Sequence, residues 1–241
     1  MGEKYCKSFI DIIPQELIEE IVAYIASTSS RSLHDLKILR GCCKSFYVAS
    51  KSRKVGQLMR VDNLWYLDMK EYISVLQNCA QKDNLEACLV LGLIDCMKLK
   101  MDSGIQYLTN AAFKGHLLAG YVGGIILYKN QETRPSGMAM LNMVAIGRVD
   151  HGSKPFESKK SGNYIINNCR YSAAKLFRDI VWSIECKWLE KEEWECESRL
   201  CGRKIDDILC NEWLGEDGLV REFCSHVCRW KYEFNMFTTL L

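Results

Sequence analysis

Proline is scarce in this sequence: Pro14, Pro135 and Pro155 are the only three among 241 residues. Few segments alternate polar and apolar residues with period two. Both features leave long stretches free to form helix and argue against a fold built from strands and turns. Histidine is nearly as rare, and His34, His116, His151 and His226 are scattered along the chain. There is no HExxH pair, nucleophile elbow or Walker loop, so nothing points to an enzyme. No run of eighteen apolar residues occurs, so no membrane-spanning helix is expected. The start, MGEKYCKSFIDIIPQE, carries Glu3, Lys4 and Lys7 and lacks the apolar run of a signal peptide. Position six is Cys6 rather than the Ser or Thr of a myristoylation signal. The formal net charge is +2, which offers no electrostatic case for a nucleic acid or an anionic membrane as partner.

Cysteine, by contrast, is abundant. There are thirteen, an odd number, in a chain without a secretory start. Such thiols are expected in a reducing compartment, nucleus or cytoplasm, buried or bound to metal rather than paired with each other. Five of them, Cys196, Cys201, Cys210, Cys224 and Cys228, crowd into the last fifth of the chain.

The first sixty residues read as three short helices. Pro14 suits a first helical position, where its missing N–H costs nothing. Leu17, Ile18, Ile21, Val22 and Ile25 follow as an apolar stripe at helical spacing. The polar run STSSRS ends that helix, and Ser32 with Asp35 reads as a capping box for the next. Leu33, Leu36, Leu39, Cys43 and Phe46 continue as an apolar face. Three short helices bury little of their own surface, so part of this apolar set calls for a partner.

The order Ile13-Pro14, Glu16-Leu17-Ile18, Glu20-Ile21-Val22, Ser32-Leu33, Leu36 and Cys43-Lys44-Ser45-Phe46 resembles an F-box. F-boxes dock a substrate receptor onto the Skp1 adaptor of a cullin-type ubiquitin ligase. They usually read Leu-Pro where this chain has Ile13-Pro14, and often Trp where it has Phe46. Both departures keep the apolar character. The resemblance implies a Skp1-binding set of Pro14, Leu17, Ile18, Ile21, Leu33, Leu36 and Phe46.

Residues 61–146 contain an internal repeat. EACLVLGLIDC, residues 86–96, aligns with LAGYVGGIILY, residues 118–128, so that Ala87, Val90 and Gly92 match Ala119, Val122 and Gly124. SGIQYLTNAA, residues 103–112, then aligns with SGMAMLNMVA, residues 136–145. A period in the low thirties with small residues at fixed points is the pattern of helix-hairpin repeats. Glycine and alanine at the crossings let antiparallel helices approach closely. The pattern resembles Sel1-like repeats, relatives of tetratricopeptide repeats. LDMKEYISVLQNCAQKDNLEA, just before it, reads as a leading helix. Two repeats are few for a solenoid, so this segment is expected to lean on its neighbours. The glycines of GYVGG lie inside an apolar helix pattern, which excludes a phosphate loop.

Residues 147–168 read as a polar linker, and CRYSAAKLFRDIVWSI, residues 169–184, as an amphipathic helix. An acidic connector with Trp188 and Trp194 follows. A final helix is expected through residues 219–237, with Leu219, Phe223, Val227, Trp230, Phe234 and Phe237 as its buried stripe. Cys224 and Cys228 lie beside that stripe. They read either as small buried hydrophobes or, with Cys201 and Cys210, as zinc ligands. Their spacing, C-x4-C, a lone Cys210 and C-x3-C, does not decide between the two. A catalytic Cys–His pair is disfavoured, because His226 falls on a different helix face from both cysteines.

The order of an F-box, Sel1-like repeats, an amphipathic helix and a cysteine-rich tail resembles a group of plant F-box proteins, many with a MYND-like zinc-binding C-terminus. The paired C-x-x-C units of MYND are not reproduced here. Residues 1–60, 61–146, 147–168 and 169–241 then form F-box, repeats, linker and C-terminal region of a mostly α protein. The resemblance implies a non-catalytic substrate receptor that binds a Skp1-like adaptor, through it a cullin, and an unidentified target protein. The rival is a helical-repeat scaffold with no ligase link.

Overall fold

A computed structural model describes residues 10, 12–62, 64, 67–147, 159–181, 196, 204–205, 213–214, 220–221 and 223–240. Among these residues the structure is mostly helical, with three strands of two residues each. The chain divides into two compact units, Met1–Leu91 and Gly92–Leu241.

The first unit holds α1 (Gln15–Thr28), α2 (Ser32–Cys42), α3 (Lys44–Ala49), α4 (Arg53–Leu58) and α5 (Met69–Ala80). The N-terminal stretch thus forms four short helices where three were expected, the fourth starting at Arg53. Pro14 sits one position before α1 as its N-cap, and its carbonyl accepts from Leu17 N (3.0 Å) and Ile18 N (3.2 Å). The core face of α1 is Ile18, Val22, Ala23 and Ala26, with Leu33 and Leu36 of α2, Ala49 of α3 and Val55 of α4 also buried. The capping box does not form. Ser32 is already helical and buried, and its hydroxyl donates to Arg60 O at 2.9 Å. Ser29 reaches Asp35 instead, at 2.5 Å, because it lies on the turn that Asp35 overhangs.

α6 (Leu85–Met97) begins in the first unit and ends in the second. Its cap is Asn84, a buried amide. Asn84 accepts from Ala87 N at 3.0 Å and donates to Gly56 O (3.0 Å) and Met59 O (2.8 Å). One side chain thereby answers an orphan helix donor and two carbonyls at the end of α4.

The second unit continues with α7 (Met101–Phe113), α8 (Leu117–Lys129) and α9 (Arg134–Ile146). The repeat read from the sequence is these hairpins. His116, thirty-two residues after Asn84, takes the same cap position, its Nδ1 accepting from Ala119 N at 3.1 Å. The residue before each cap is left-handed, Asp83 at φ 67° and Gly115 at φ 102°. The glycines sit where paired helices touch. A Cβ added to Gly104 would lie 2.8 Å from Gly92 O, and one added to Gly137 would lie 2.7 Å from Gly124 O. The two hairpins thus close by the same contact, which no larger residue permits. Gly123 and Gly124 are buried inside α8, as the helical reading required.

α10 runs Lys159–Val181, so helix replaces the last ten residues of the expected linker. β1 (Lys204–Ile205), β2 (Trp213–Leu214) and β3 (Val220–Arg221) form an antiparallel sheet in the order β1-β3-β2. The closing helix, α11, is His226–Leu240 and not 219–237, because residues 220–221 pair as strand. Trp230, Phe234 and Phe237 are buried as expected, whereas Val227 is exposed in the first turn. Trp188, Trp194, Cys201, Cys210 and Leu219 lie outside the described residues.

α8, α10 and α11 meet at a fully buried carboxylate. Glu233 accepts from Tyr121 Oη at 2.6 Å and from Arg170 Nε at 2.7 Å, and its second oxygen pairs with the other arm of the guanidinium. Burial opposes the charge on Arg170, but Glu233 outweighs it and raises the arginine pKa above its ordinary value. Burial and the same carboxylate push the Tyr121 pKa well up. Phe237 stacks edge-on against Tyr121 (5.7 Å) and Phe177 (5.4 Å), and Trp230 Nε1 donates to Asn142 Oδ1 at 3.0 Å.

A buried pair is most costly when half of it is removed. Glu233→Gln is therefore expected to cost about 3–5 kcal/mol, measured by chemical denaturation of the full chain. An Arg170→Met, Glu233→Leu double variant should recover much of that loss.

Candidate functional site

Two features stand out, one in each unit. In the first unit the implied docking residues separate into two groups. Ile18, Leu33 and Leu36 are 2%, 6% and 1% exposed and belong to the core of the unit itself. They cannot offer surface to a partner, because α1 and α2 need them to hold together. Pro14, Leu17 and Ile21 face outward, and Phe46 is half-buried. Leu17 is 54% exposed and Ile21 44% exposed, with Ile12 at 68% and Tyr24 at 70%. Positions 17, 21 and 24 recur at spacings of four and three, which places them on one face of α1. Large apolar side chains so arranged form a patch of the kind that marks an interaction site. Ile12 and Tyr24 were absent from the implied set. The period of α1 carries Tyr24 directly, one turn beyond Ile21.

In the second unit three thiols converge. Cys224 lies 3.5 Å from Cys196 and 3.4 Å from Cys228, and Cys196 lies 3.7 Å from Cys228, all Sγ to Sγ. Cys224 is exposed, and the other two are half-buried. Cys228 is in the first turn of α11, but Cys224 lies just before that helix. The convergence therefore does not come from two positions one turn apart on a helix. A bend at Cys224 and Ser225 supplies it, with Ser225 Oγ accepting from Cys228 N at 3.2 Å. Cys196 is one of the five clustered tail cysteines but not of the four that the sequence offers as zinc ligands. Its distance along the chain hid it, although its C-x4-C spacing to Cys201 was visible. His226 is exposed at the start of α11.

A zinc–thiolate bond is about 2.3 Å long, so sulfurs at two corners of a tetrahedron lie about 3.8 Å apart. The three observed separations are within a few tenths of an ångström of that edge. Cys196, Cys224 and Cys228 thus fit three corners of a tetrahedral metal site, and the group can bind a metal ion.

The four buried cysteines behave differently. Burial pushes the Cys79 thiol up to about 11, and Cys96 and Cys169 up to about 12. Cys88 is also buried. All four are packing residues out of reach of solvent, and Cys79, Cys96 and Cys169 stay protonated at neutral pH.

Helical hairpins with glycine-closed crossings define a mostly α repeat protein, and the comparisons agree. Residues 59–178 match the family of plant tetratrico peptide repeats, from the end of α4 almost to the end of α10. The chain is similar to an Arabidopsis thaliana protein named "Putative F-box protein At1g67623", at 30% identity over 195 residues. That alignment takes in 79% of this chain and 64% of the relative, so the chain spans just under two thirds of its length. No solved structure matches. The family match falls on the helical hairpins, and neither match reaches the finer Sel1-like and MYND-like assignments.

Alkylation of the native protein by iodoacetamide should modify Cys42 and Cys224 quickly and leave Cys79, Cys88, Cys96 and Cys169 untouched. Peptide mass spectrometry reads the difference. Added zinc should slow the reaction at Cys224 and not at Cys42.

Proposed function

We propose that this protein is a non-catalytic substrate receptor of an SCF-type ubiquitin ligase. The outer face of α1 docks a Skp1-like adaptor and, through it, a cullin, while the repeats and tail hold a target protein. The observation that carries this reading is the exposed apolar row Leu17, Ile21 and Tyr24, with Ile12 and Pro14 beside it, on an F-box-like sequence. The similarity to a relative named as an F-box protein supports it. A helix offering such a row suits a hydrophobic groove. Ile18, Leu33 and Leu36 serve the docking indirectly, by fixing the angle at which α1 is presented.

The receptor does no bond chemistry. It holds a lysine of the target beside a charged ubiquitin-conjugating enzyme and raises its effective concentration there. Nucleus and cytoplasm, where such ligases work, are the proposed locations.

Full-length protein co-expressed with Skp1 tests the docking face. A Leu17→Asp, Ile21→Asp double variant should weaken co-purification by about tenfold or more, as loss of central anchors does. Both side chains are exposed, so the variant should keep its circular dichroism spectrum. Unchanged Skp1 binding would sink the reading and leave a scaffold whose repeats bind partners without a ligase.

We further propose that Cys196, Cys224 and Cys228 hold zinc, with a fourth ligand to be identified. Cys201 and Cys210 are the candidates that the sequence offers. Elemental analysis should find about one zinc per chain in the parent and a severalfold loss in Cys224→Ser. A metal content unaffected by that substitution would refute the assignment.

A further inference from the structure

We propose that the cluster of Cys196, Cys224 and Cys228 is a peroxide-sensitive thiol centre, in which metal holding and a disulfide formed by Cys224 exclude one another. The metal half rests on the zinc reading above. The disulfide half rests on the thiol geometry alone.

Three observations carry it. Cys224 is the exposed member of the cluster and sits at the bend that precedes α11. Its sulfur already lies 3.4 Å from Cys228 and 3.5 Å from Cys196. A disulfide needs about 2.05 Å, a closure of little more than an ångström that side-chain rotation at a bend can supply. The other described cysteines of this unit, Cys96 and Cys169, are buried and pushed up to about 12, so an oxidant meets the cluster first.

The chemistry balances with a hydroperoxide as oxidant. The Cys224 thiolate attacks one peroxide oxygen, the O–O bond breaks, and water leaves once the departing oxygen is protonated. Cys224 is then a sulfenic acid. The sulfur of Cys196 or Cys228 attacks the Cys224 sulfur, the S–O bond breaks, and a second water leaves. Two thiols have lost two electrons and two protons, and hydrogen peroxide has become two waters. A single thiolate remains of the three, too few to keep a metal. α11 itself stays seated, because Glu233, Trp230, Phe234 and Phe237 hold it from the buried side.

The test uses full-length protein purified with zinc, treated with hydrogen peroxide at a small molar excess. Zinc release is read with a chromophoric chelator, thiols are counted, and disulfides are mapped by peptide mass spectrometry without reduction. The expected result is two thiols lost per zinc released and an intramolecular disulfide containing Cys224. A thiol reductant should reverse both, and helicity should not change. A Cys42→Ser, Cys43→Ser variant should respond like the parent, and Cys224→Ser should lose the mapped disulfide. The proposal is overturned if Cys224 ends as sulfinic acid with no disulfide, stays reduced while Cys42 oxidises, or joins a disulfide while zinc remains bound. Protein that carries no zinc defeats the metal reading, and with it the exclusion. The disulfide map then decides the thiol pair by itself.

Discussion

A carboxylate with no exposure to water has to be answered inside the protein, and Glu233 makes that demand on the whole second unit. Arg170 of α10 supplies the opposite charge, and Tyr121 of α8 supplies a further donor. With Glu233 itself on α11, the three groups come from three different helices, so α8, α10 and α11 must all be seated for any of them to be stable. Apolar packing alone would tolerate α11 sliding along the repeat. The bidentate arginine does not, because its fork fits the carboxylate in one geometry. The first turn of α11 is placed by the same constraint, and Cys228 with it, so the thiol cluster inherits its position from a buried ion pair about one and a half turns away.

The hairpins beneath this network depend on a different economy. Each crossing brings glycine against backbone, Gly104 on Gly92 and Gly137 on Gly124. The helices approach so closely that α8 is almost wholly buried, and nine of its thirteen residues lose their solvent. A helix in that position has no polar face to spare. Tyr121 reaching Glu233 links it to α11, which is how a greasy hairpin acquires a specific partner.

In the first unit the division of labour is finer than one apolar stripe. Ile18 and Leu17 are neighbours in the chain, but a step of about 100° around the helix sends one into the core and leaves the other in solvent. The same step separates Val22 from Ile21. An F-box-like pattern read from letters gathers all of them together. Burial sorts them into residues that build the platform and residues that stand on it.

The sequence by itself determined the helical character, the two hairpins with their glycine crossings, the leading helix at Met69–Ala80 and the greasy end of the closing helix. All of these follow from short-range spacing, in which residues three or four apart share a face. The buried state of Ile18, Leu33 and Leu36 was not legible, since periodicity marks a face as apolar without saying what covers it. Nor was the pairing of Arg170 with Glu233, whose letters suggest two surface charges. The thiol cluster shows the limit most plainly. Cys228 and Cys224 are close in the chain, yet a bend rather than a helix brings them together, and Cys196 arrives from twenty-eight residues away. Only the tertiary structure decides such meetings, because they are set by how the chain returns upon itself, and local spacing carries no record of that path.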